Sequence, residues 1–204
     1  MRAFKRVSRG FTLVELMIVV AIIGVLAALA IYGVRRYLQS AKTSEAKQTI
    51  GAIARGGIGA FEREITPQEQ LGEGSVSTQT THSMCKGATA VPATVPVGKK
   101  YQPLTGNGQD FEVGTVDTSW RCLKFSMSSP IYYQYGYQSN DTAASGTAPA
   151  GGLTAAGTNS FIAWANGDLD GDSTLSGFGQ SASVNASNAA IKLATEVAIV
   201  NEYE

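Results

Sequence analysis

Residues 11–34 read FTLVELMIVVAIIGVLAALAIYGV, and this apolar run decides the fold of the chain. Its 24 residues include one charged side chain, Glu15, and the run stops at the pair Arg35-Arg36. A helix rises about 1.5 Å per residue, so this one would extend about 36 Å, more than the roughly 30 Å hydrocarbon core of a bilayer. The run is therefore predicted to be a helix that can span a membrane.

The residues before this run are basic. They include Arg2, Lys5, Arg6 and Arg9 and no acid. Because basic flanks tend to stay in the cytoplasm, we expect the C-terminal bulk of the chain to lie on the outer side. The whole chain has 16 basic and 16 acidic side chains, so losing the first ten residues leaves 12 against 16, a net charge of −4. Net charge therefore gives no reason to expect nucleic-acid binding.

An ordinary secretory signal peptide is the alternative interpretation, with Ala28 and Ala30 as the small residues of its cleavage site. The apolar run is longer than the roughly 7–15 residues of a usual signal core. A carboxylate such as that of Glu15 also costs about 2.5–3.5 kcal/mol at the centre of a bilayer. Both features favour a retained helix, in which the charge has a function, over a discarded signal.

Helix-compatible sequence continues from residue 35 to residue 65, before Thr66-Pro67 stops it. Because four glycines weaken this part, packing on a head must stabilise it. We therefore predict one long helix that is apolar all round in residues 11–34 and amphipathic in residues 35–65. Its predicted apolar stripe, at helical spacing, consists of Ile50, Ile53, Ala54, Gly57, Ile58, Phe61 and Ile65.

Residues 66–204 are predicted to form a globular head with variable loops. Gly, Ser, Thr and Pro dominate up to about Asp117, and small or polar residues fill 139–160, so we predict an irregular connection and a flexible loop. A turn at residues 128–130 suggests a hairpin. We expect an α+β fold, with an antiparallel sheet against the second half of the long helix. The predicted strands, rich in aromatic and branched residues, are Trp120–Met127, Ile131–Tyr137, Ser160–Ala165 and Ile191–Val200.

The chain has two cysteines, Cys85 and Cys122. In an exported domain an even number of cysteines favours a disulfide, whereas two buried thiols would be expected in the cytosol. The bond would close a 38-residue segment and contribute about 3–4 kcal/mol.

Three alternating aspartates, Asp168, Asp170 and Asp172, resemble the first half of an EF-hand calcium loop. Ser173 replaces the glycine expected at the sixth position, and Gly179 replaces the glutamate expected at the twelfth. The sequence therefore leaves two interpretations open, a calcium site and a solvated acidic turn. We find no catalytic constellation, and the single histidine, His82, is expected to be a solvated side chain.

The sequence Arg9-Gly10-Phe11-Thr12-Leu13-Val14-Glu15, followed by the apolar run, resembles the class III leader and N-terminal helix of type IV pilins, especially type IVa, and of pseudopilins. The resemblance covers about residues 5–45. It implies that a prepilin peptidase cleaves between Gly10 and Phe11 and that Phe11 is then N-methylated. It also implies that Glu15 pairs with the new amine of a neighbouring subunit, although a carboxylate that merely reaches the headgroups is the alternative.

The resemblance further implies a structural, non-enzymatic subunit that waits in the inner membrane, in contact with lipid. Assembly machinery then adds it to a homopolymeric extracellular pilus that serves adhesion and motility. The chain departs from type IVa pilins at Tyr32, where they usually carry a proline, so unwinding between Gly24 and Gly33 is not implied. Its cysteine pair is also displaced towards mid-chain. The alternatives are a minor pilin, a type II secretion pseudopilin and a membrane-anchored calcium-binding or enzymatic domain.

Overall fold

The computed structural model describes residues 10–63, 73–74, 82–140, 150–155, 159–185, 187 and 190–204. Leader residues 1–9, the predicted helix stop at Thr66-Pro67 and most of the predicted loop 139–160 lie outside these ranges. The chain divides into two compact units, Met1–Ala41 and Lys42–Glu204.

Helix α1 extends from Leu13 to Glu62 and continues without interruption through Gly24 and Gly33. The long helix predicted from the sequence is therefore confirmed, and it ends three residues before residue 65. In the second unit its buried residues recur at spacings of three and four, as predicted for an amphipathic helix. They are Thr43, Ala46, Thr49, Ile50, Ile53, Ala54, Gly57 and Ala60.

The second unit contains an antiparallel sheet of six strands. Its order is β1-β2-β3-β4-β5, and β6 also pairs with β4. A short helix, α2, extends from Ser119 to Leu123. The strands are β1 Ala88–Val91, β2 Gln134–Ser139, β3 Ser160–Gly167, β4 Ser176–Val184, β5 Ile191–Leu193 and β6 Ala198–Val200. The expected α+β fold, a long helix and an antiparallel sheet, is confirmed.

Large and small side chains alternate across the face of the sheet that meets α1. Tyr135 lies opposite Ala165, which in turn lies opposite Phe178. The small central residue leaves a trough between two aromatic rows, and such alternation lets helix and sheet interdigitate. At Gly57 the helix comes so close that an added Cβ would lie 2.9 Å from the Phe161 ring.

The opposite face of the sheet is also covered. The indole of Trp164 lies on Gly136, where a Cβ would be 2.2 Å from the ring. Residues 150–155 cross β4, because the Ala150 amide donates a 2.8 Å hydrogen bond to Oδ1 of Asn166 and Leu153 packs at Gly179. Both faces of β3 are therefore buried, and all eight of its residues are inaccessible.

The predicted strand Trp120–Met127 is wrong. Its first part forms α2, and no strand follows up to residue 133, so the predicted hairpin at residues 128–130 is wrong as well. The buried residues of α2 form two pairs spaced three apart, Ser119 with Cys122 and Trp120 with Leu123. A strand would place the members of each pair on opposite faces, whereas one helical turn buries both pairs together.

Two strands were not predicted. The first, β1, lies inside the segment expected to be irregular, and the second, β4, has the sequence SGFGQSASV, which is poor in strand-forming residues. The predicted strand Ser160–Ala165 is confirmed by β3, and Ile131–Tyr137 overlaps β2. The predicted strand Ile191–Val200 is divided into β5 and β6.

Candidate functional site: the helix N-terminus and its apolar surface

The apolar part of α1 is uncovered on all sides. Every large apolar side chain between Leu13 and Val34 is at least 47% exposed, Val19 being the least exposed. Among the described residues α1 is the one helix long and apolar enough to cross a membrane. A soluble monomer rarely exposes so large a contiguous apolar surface, so this segment requires lipid or other protein around it.

Glu15 lies in the first turn of this helix and closes a capping box with Thr12. The Thr12 backbone N–H and its hydroxyl each donate a 2.8 Å hydrogen bond to Oε2 of Glu15. In return, the Glu15 backbone N–H donates a 3.2 Å hydrogen bond to the Thr12 Oγ1. This reciprocal pattern satisfies backbone N–H groups at a helix N-terminus and fixes where the helix begins. The sequence signal for this box is the spacing Thr-x-x-Glu at residues 12–15.

The predicted cleavage position, between Gly10 and Phe11, precedes the first residue of α1. An added Cβ at Gly10 would meet no atom within 4 Å, and Phe11 is 83% exposed. The bond is therefore outside the helix and accessible. Cleavage and methylation themselves stay predictions, as does the pairing of Glu15 with an amine.

The disulfide Cys85–Cys122 is present, with the two Cα atoms 5.8 Å apart, and the predicted pairing is confirmed. It joins the irregular segment before β1 to α2. Helix α1 ends beside the disulfide, because the Arg63 guanidinium donates a hydrogen bond to the Cys122 carbonyl.

His82 is exposed and lies at the end of α1. Its Nδ1 lies 3.0 Å from the Phe61 carbonyl. Because a carbonyl only accepts hydrogen bonds, the His82 Nδ1 donates this one.

The three aspartates predicted as calcium ligands lie together in the turn between β3 and β4. One carboxylate oxygen from each lies within 4.8 Å of the others. Asp168 is buried and accepts backbone hydrogen bonds from Gly171 at 2.7 Å and Ser173 at 3.2 Å. Ser173 has a φ of 73°, the left-handed conformation that glycine normally supplies at this position of a calcium loop. Calcium binding stays a prediction.

The Glu204 carboxylate lies close enough to this acidic turn, defined as residues 168–172, to feel its charge. Partial desolvation and then the negative charges of Asp172, Asp170 and Asp168 raise the pKa of the Glu204 side chain. This proximity has no local signal in the sequence, because the pairing of β6 with β4 brings the two segments together. Crowded carboxylates repel one another, so the turn has an electrostatic reason to accept a cation.

Comparison with known proteins finds similarity to pilins and fimbrial proteins in the N-terminal region of the chain. A family model described as the prokaryotic N-terminal methylation motif matches residues 5–31. The type IV major pilin protein PilA of Myxococcus xanthus is 56% identical over 46 residues, covering 22% of this chain and 21% of the relative. A fimbrial protein of Dichelobacter nodosus is 37% identical over 116 residues, covering 56% of this chain and 59% of the relative.

The type IV major fimbrial protein FimA of Dichelobacter nodosus is 38% identical over 96 residues, covering 47% of this chain and 48% of the relative. These three alignments cover between 21% and 59% of the relatives' own lengths. The comparison with solved structures found no match. The chain combines a long N-terminal helix that carries a methylation motif with an antiparallel sheet. Its N-terminal region is similar to that of type IV pilins.

Proposed function

We propose that this chain is the structural subunit of a type IV pilus, which polymerises through its N-terminal helix. The observation that carries the proposal is the exposed apolar surface of residues 13–34. Lipid covers that surface while the subunit waits in the inner membrane, and the helices of other subunits cover it in the fibre. One surface thus serves two environments without refolding.

Processing prepares the subunit for assembly. A prepilin peptidase would cut the exposed bond between Gly10 and Phe11, which lies before the helix, and leave the apolar run attached to the head. The cut creates an α-amine at Phe11, four residues before Glu15 and directly before Thr12 of the capping box. N-methylation of that amine would keep its positive charge.

The capping box is compatible with a contact between subunits. Both hydrogen bonds that Glu15 accepts from Thr12 end on Oε2, so Oε1 can receive the amine of a neighbouring Phe11 without loss of the helix cap. A carboxylate inside an apolar bundle requires such a partner, and removing one member of a buried ion pair costs about 3–5 kcal/mol. Glu15 would therefore define the axial position at which one subunit joins the next.

The partners of the subunit follow from this sequence of events. They are the prepilin peptidase, membrane lipid, the inner-membrane assembly machinery and other pilin subunits. The final location is an extracellular pilus that supports adhesion and motility. No enzymatic role is part of this proposal.

The test separates the charge of Glu15 from its role as a helix cap. Glu15→Gln retains an acceptor for the cap but removes the charge, whereas Thr12→Ala weakens the cap by about 1 kcal/mol and retains the charge. The measurement is the ratio of sheared fibre to membrane pool, with N-terminal sequencing of both. We expect Phe-Thr-Leu-Val-Glu as the mature start, few fibres from Glu15→Gln or Glu15→Ala, and fibres from Thr12→Ala.

Two outcomes would overturn the proposal. Wild-type chain absent from fibres but present in the membrane would exclude a pilus subunit. Normal fibres from Glu15→Ala would instead show that its carboxylate only reaches the headgroups. The stoichiometry of the chain in wild-type fibres distinguishes a major pilin from a minor one.

A further inference from the structure

Two lysines lie over the ring of one tyrosine, Tyr132, where α1 enters the second unit. The ammonium of Lys42 lies 4.4 Å from the centre of the Tyr132 ring, and that of Lys100 lies 4.8 Å from it. Lys99 is the exposed neighbour of Lys100. We call Lys42, Lys99, Lys100 and Tyr132 the basic surface. Among the described residues, no carboxylate oxygen lies within 4.0 Å of these ammonium groups, and the ion pair found there joins Lys47 to Glu202.

The basic surface and the acidic turn lie at the same end of the sheet. Residues 97–101 connect them. At one end of this segment the Gly98 N–H donates a 2.8 Å hydrogen bond to the Asp168 carbonyl. At the other end Tyr101 and Ile131 exchange two backbone hydrogen bonds of 2.8 Å. Among the described residues, no ion pair joins the lysines of the basic surface to the acidic turn of the same subunit.

From this arrangement we infer that the basic surface binds the acidic turn of a neighbouring copy of this chain in the fibre. The inference rests on the proposed function. Growth of a fibre from identical subunits requires a heterologous interface, in which two different patches of one chain complement each other. The exposed lysines of the basic surface and the exposed Asp170 and Asp172 are two such patches.

The acids near the basic surface have other partners. Glu45 accepts a 3.2 Å hydrogen bond from the Tyr132 backbone N–H. Asp110 accepts hydrogen bonds of 2.8 Å from the Tyr101 hydroxyl and 2.7 Å from the Leu104 N–H. Contact with the Tyr132 ring orients Lys42 and Lys100, so less side-chain freedom is lost when a carboxylate binds.

A second copy fits this end of the sheet better than an anionic lipid surface. A lipid phosphate drawn to the lysines would also meet the carboxylates of the acidic turn and of Glu204 at the same end. Like charges brought together are repelled, which opposes docking on a flat anionic surface. A neighbouring subunit presents its negative charge locally and avoids that repulsion.

Charge reversal tests the inference in the full-length precursor, expressed in cells with a working pilus assembly system. Lys99→Glu/Lys100→Glu gives one variant, and Asp170→Lys/Asp172→Lys gives the other. We expect each to lower the ratio of fibre to membrane pool by about tenfold or more, because like charges would then face each other. The fourfold variant with both reversals should recover fibres. So should co-expression of the two double variants, because each then supplies the charge that the other lacks. Chelator is present throughout, so calcium cannot occupy the turn.

Lys86→Glu/Lys192→Glu is the matched control, because it changes net charge equally at exposed lysines outside both surfaces. It should assemble normally. Tryptophan fluorescence and disulfide formation establish that each variant folds. Normal fibres from both double variants, or a folded fourfold variant without fibres, would overturn the inference. So would a fall in the membrane pool alone after lysine reversal, which would indicate lipid binding. These results leave the proposed function intact whenever the wild-type chain is found in fibres.

Discussion

Gly57 offers a sharp test of how closely α1 packs on the sheet. An added Cβ there would lie 2.9 and 3.1 Å from two atoms of the Phe161 ring and 3.0 Å from the Tyr137 ring. Both rings are fully buried and 5.0 Å apart between centroids, so neither can swing away into solvent. Gly57→Ala therefore forces the helix, the rings or both to shift.

Gly59, in the same stretch of helix, provides the control. It is exposed, and an added Cβ would meet nothing within 4 Å. Gly59→Ala should raise the free energy of unfolding by up to about 1 kcal/mol, which is the difference in helix propensity between glycine and alanine. Gly57→Ala gains the same propensity but loses about 1–3 kcal/mol to overpacking. The difference between the two variants isolates the packing cost.

The assay is urea unfolding of the full chain in detergent, with the disulfide intact. Fluorescence reports on the head, because both tryptophans, Trp120 and Trp164, are buried there. We expect Gly57→Ala to be less stable than Gly59→Ala by about 1–3 kcal/mol, with unchanged denaturant dependence. Equal stabilities would refute the close approach of helix and sheet.

Three further predictions concern the head. Replacing Cys85 and Cys122 together by alanine should lower the free energy of unfolding by about 3–4 kcal/mol, and intact fibres should contain no titratable thiol. Calcium at a hundredfold excess over its Kd should add about 2.7 kcal/mol to the stability of the wild type. Asp170→Asn/Asp172→Asn should abolish the gain, and a wild-type midpoint indifferent to calcium and chelator would contradict the site. Burial raises the pKa of Tyr135, so the unfolded chain ionises first and stability should fall as pH rises above about 10. An alkaline urea midpoint that does not move would contradict that burial.

The sequence predicts the long helix well because its signal does not depend on the rest of the molecule. An uninterrupted apolar run of this length admits few other structures, and the stripe that follows it at Ile50, Ile53 and Gly57 matches the buried face of α1. The cysteine pairing was also predictable, since two cysteines in an exported domain allow one intramolecular bond.

Long-range contacts explain what the sequence did not reveal. Strand β4 contains Gly177 and Gly179, which local propensity disfavours. These glycines are needed because Ala150 and Ile162 occupy the space where side chains would lie. In the same way, the single turn of α2 follows from burial on two sides around the disulfide, which alternation along Trp120–Met127 does not show.

The sequence indicates only part of the acidic turn at residues 168–172 and its surroundings. The three aspartates were visible as a cluster, and Ser173 was recognised as a departure from the calcium-loop pattern. Its positive φ could not be predicted, since non-glycine residues seldom adopt that conformation. The proximity of Glu204 depends on strand pairing between distant segments, for which the sequence contains no local signal.

The position of the disulfide has a mechanical consequence for a fibre under tension. Cys85 and Cys122 both follow α1 in the chain, so the bond reinforces the head without joining it to the helix. A pull transmitted through the apolar segment would load the contact between α1 and the sheet in shear. That contact includes side-chain packing along the aromatic trough, the 2.6 Å ion pair between Lys47 and Glu202, and the hydrogen bond from the Tyr132 N–H to Glu45. Resistance to pulling would therefore depend on noncovalent packing over residues 43–60, and reducing the disulfide would leave that interface in place.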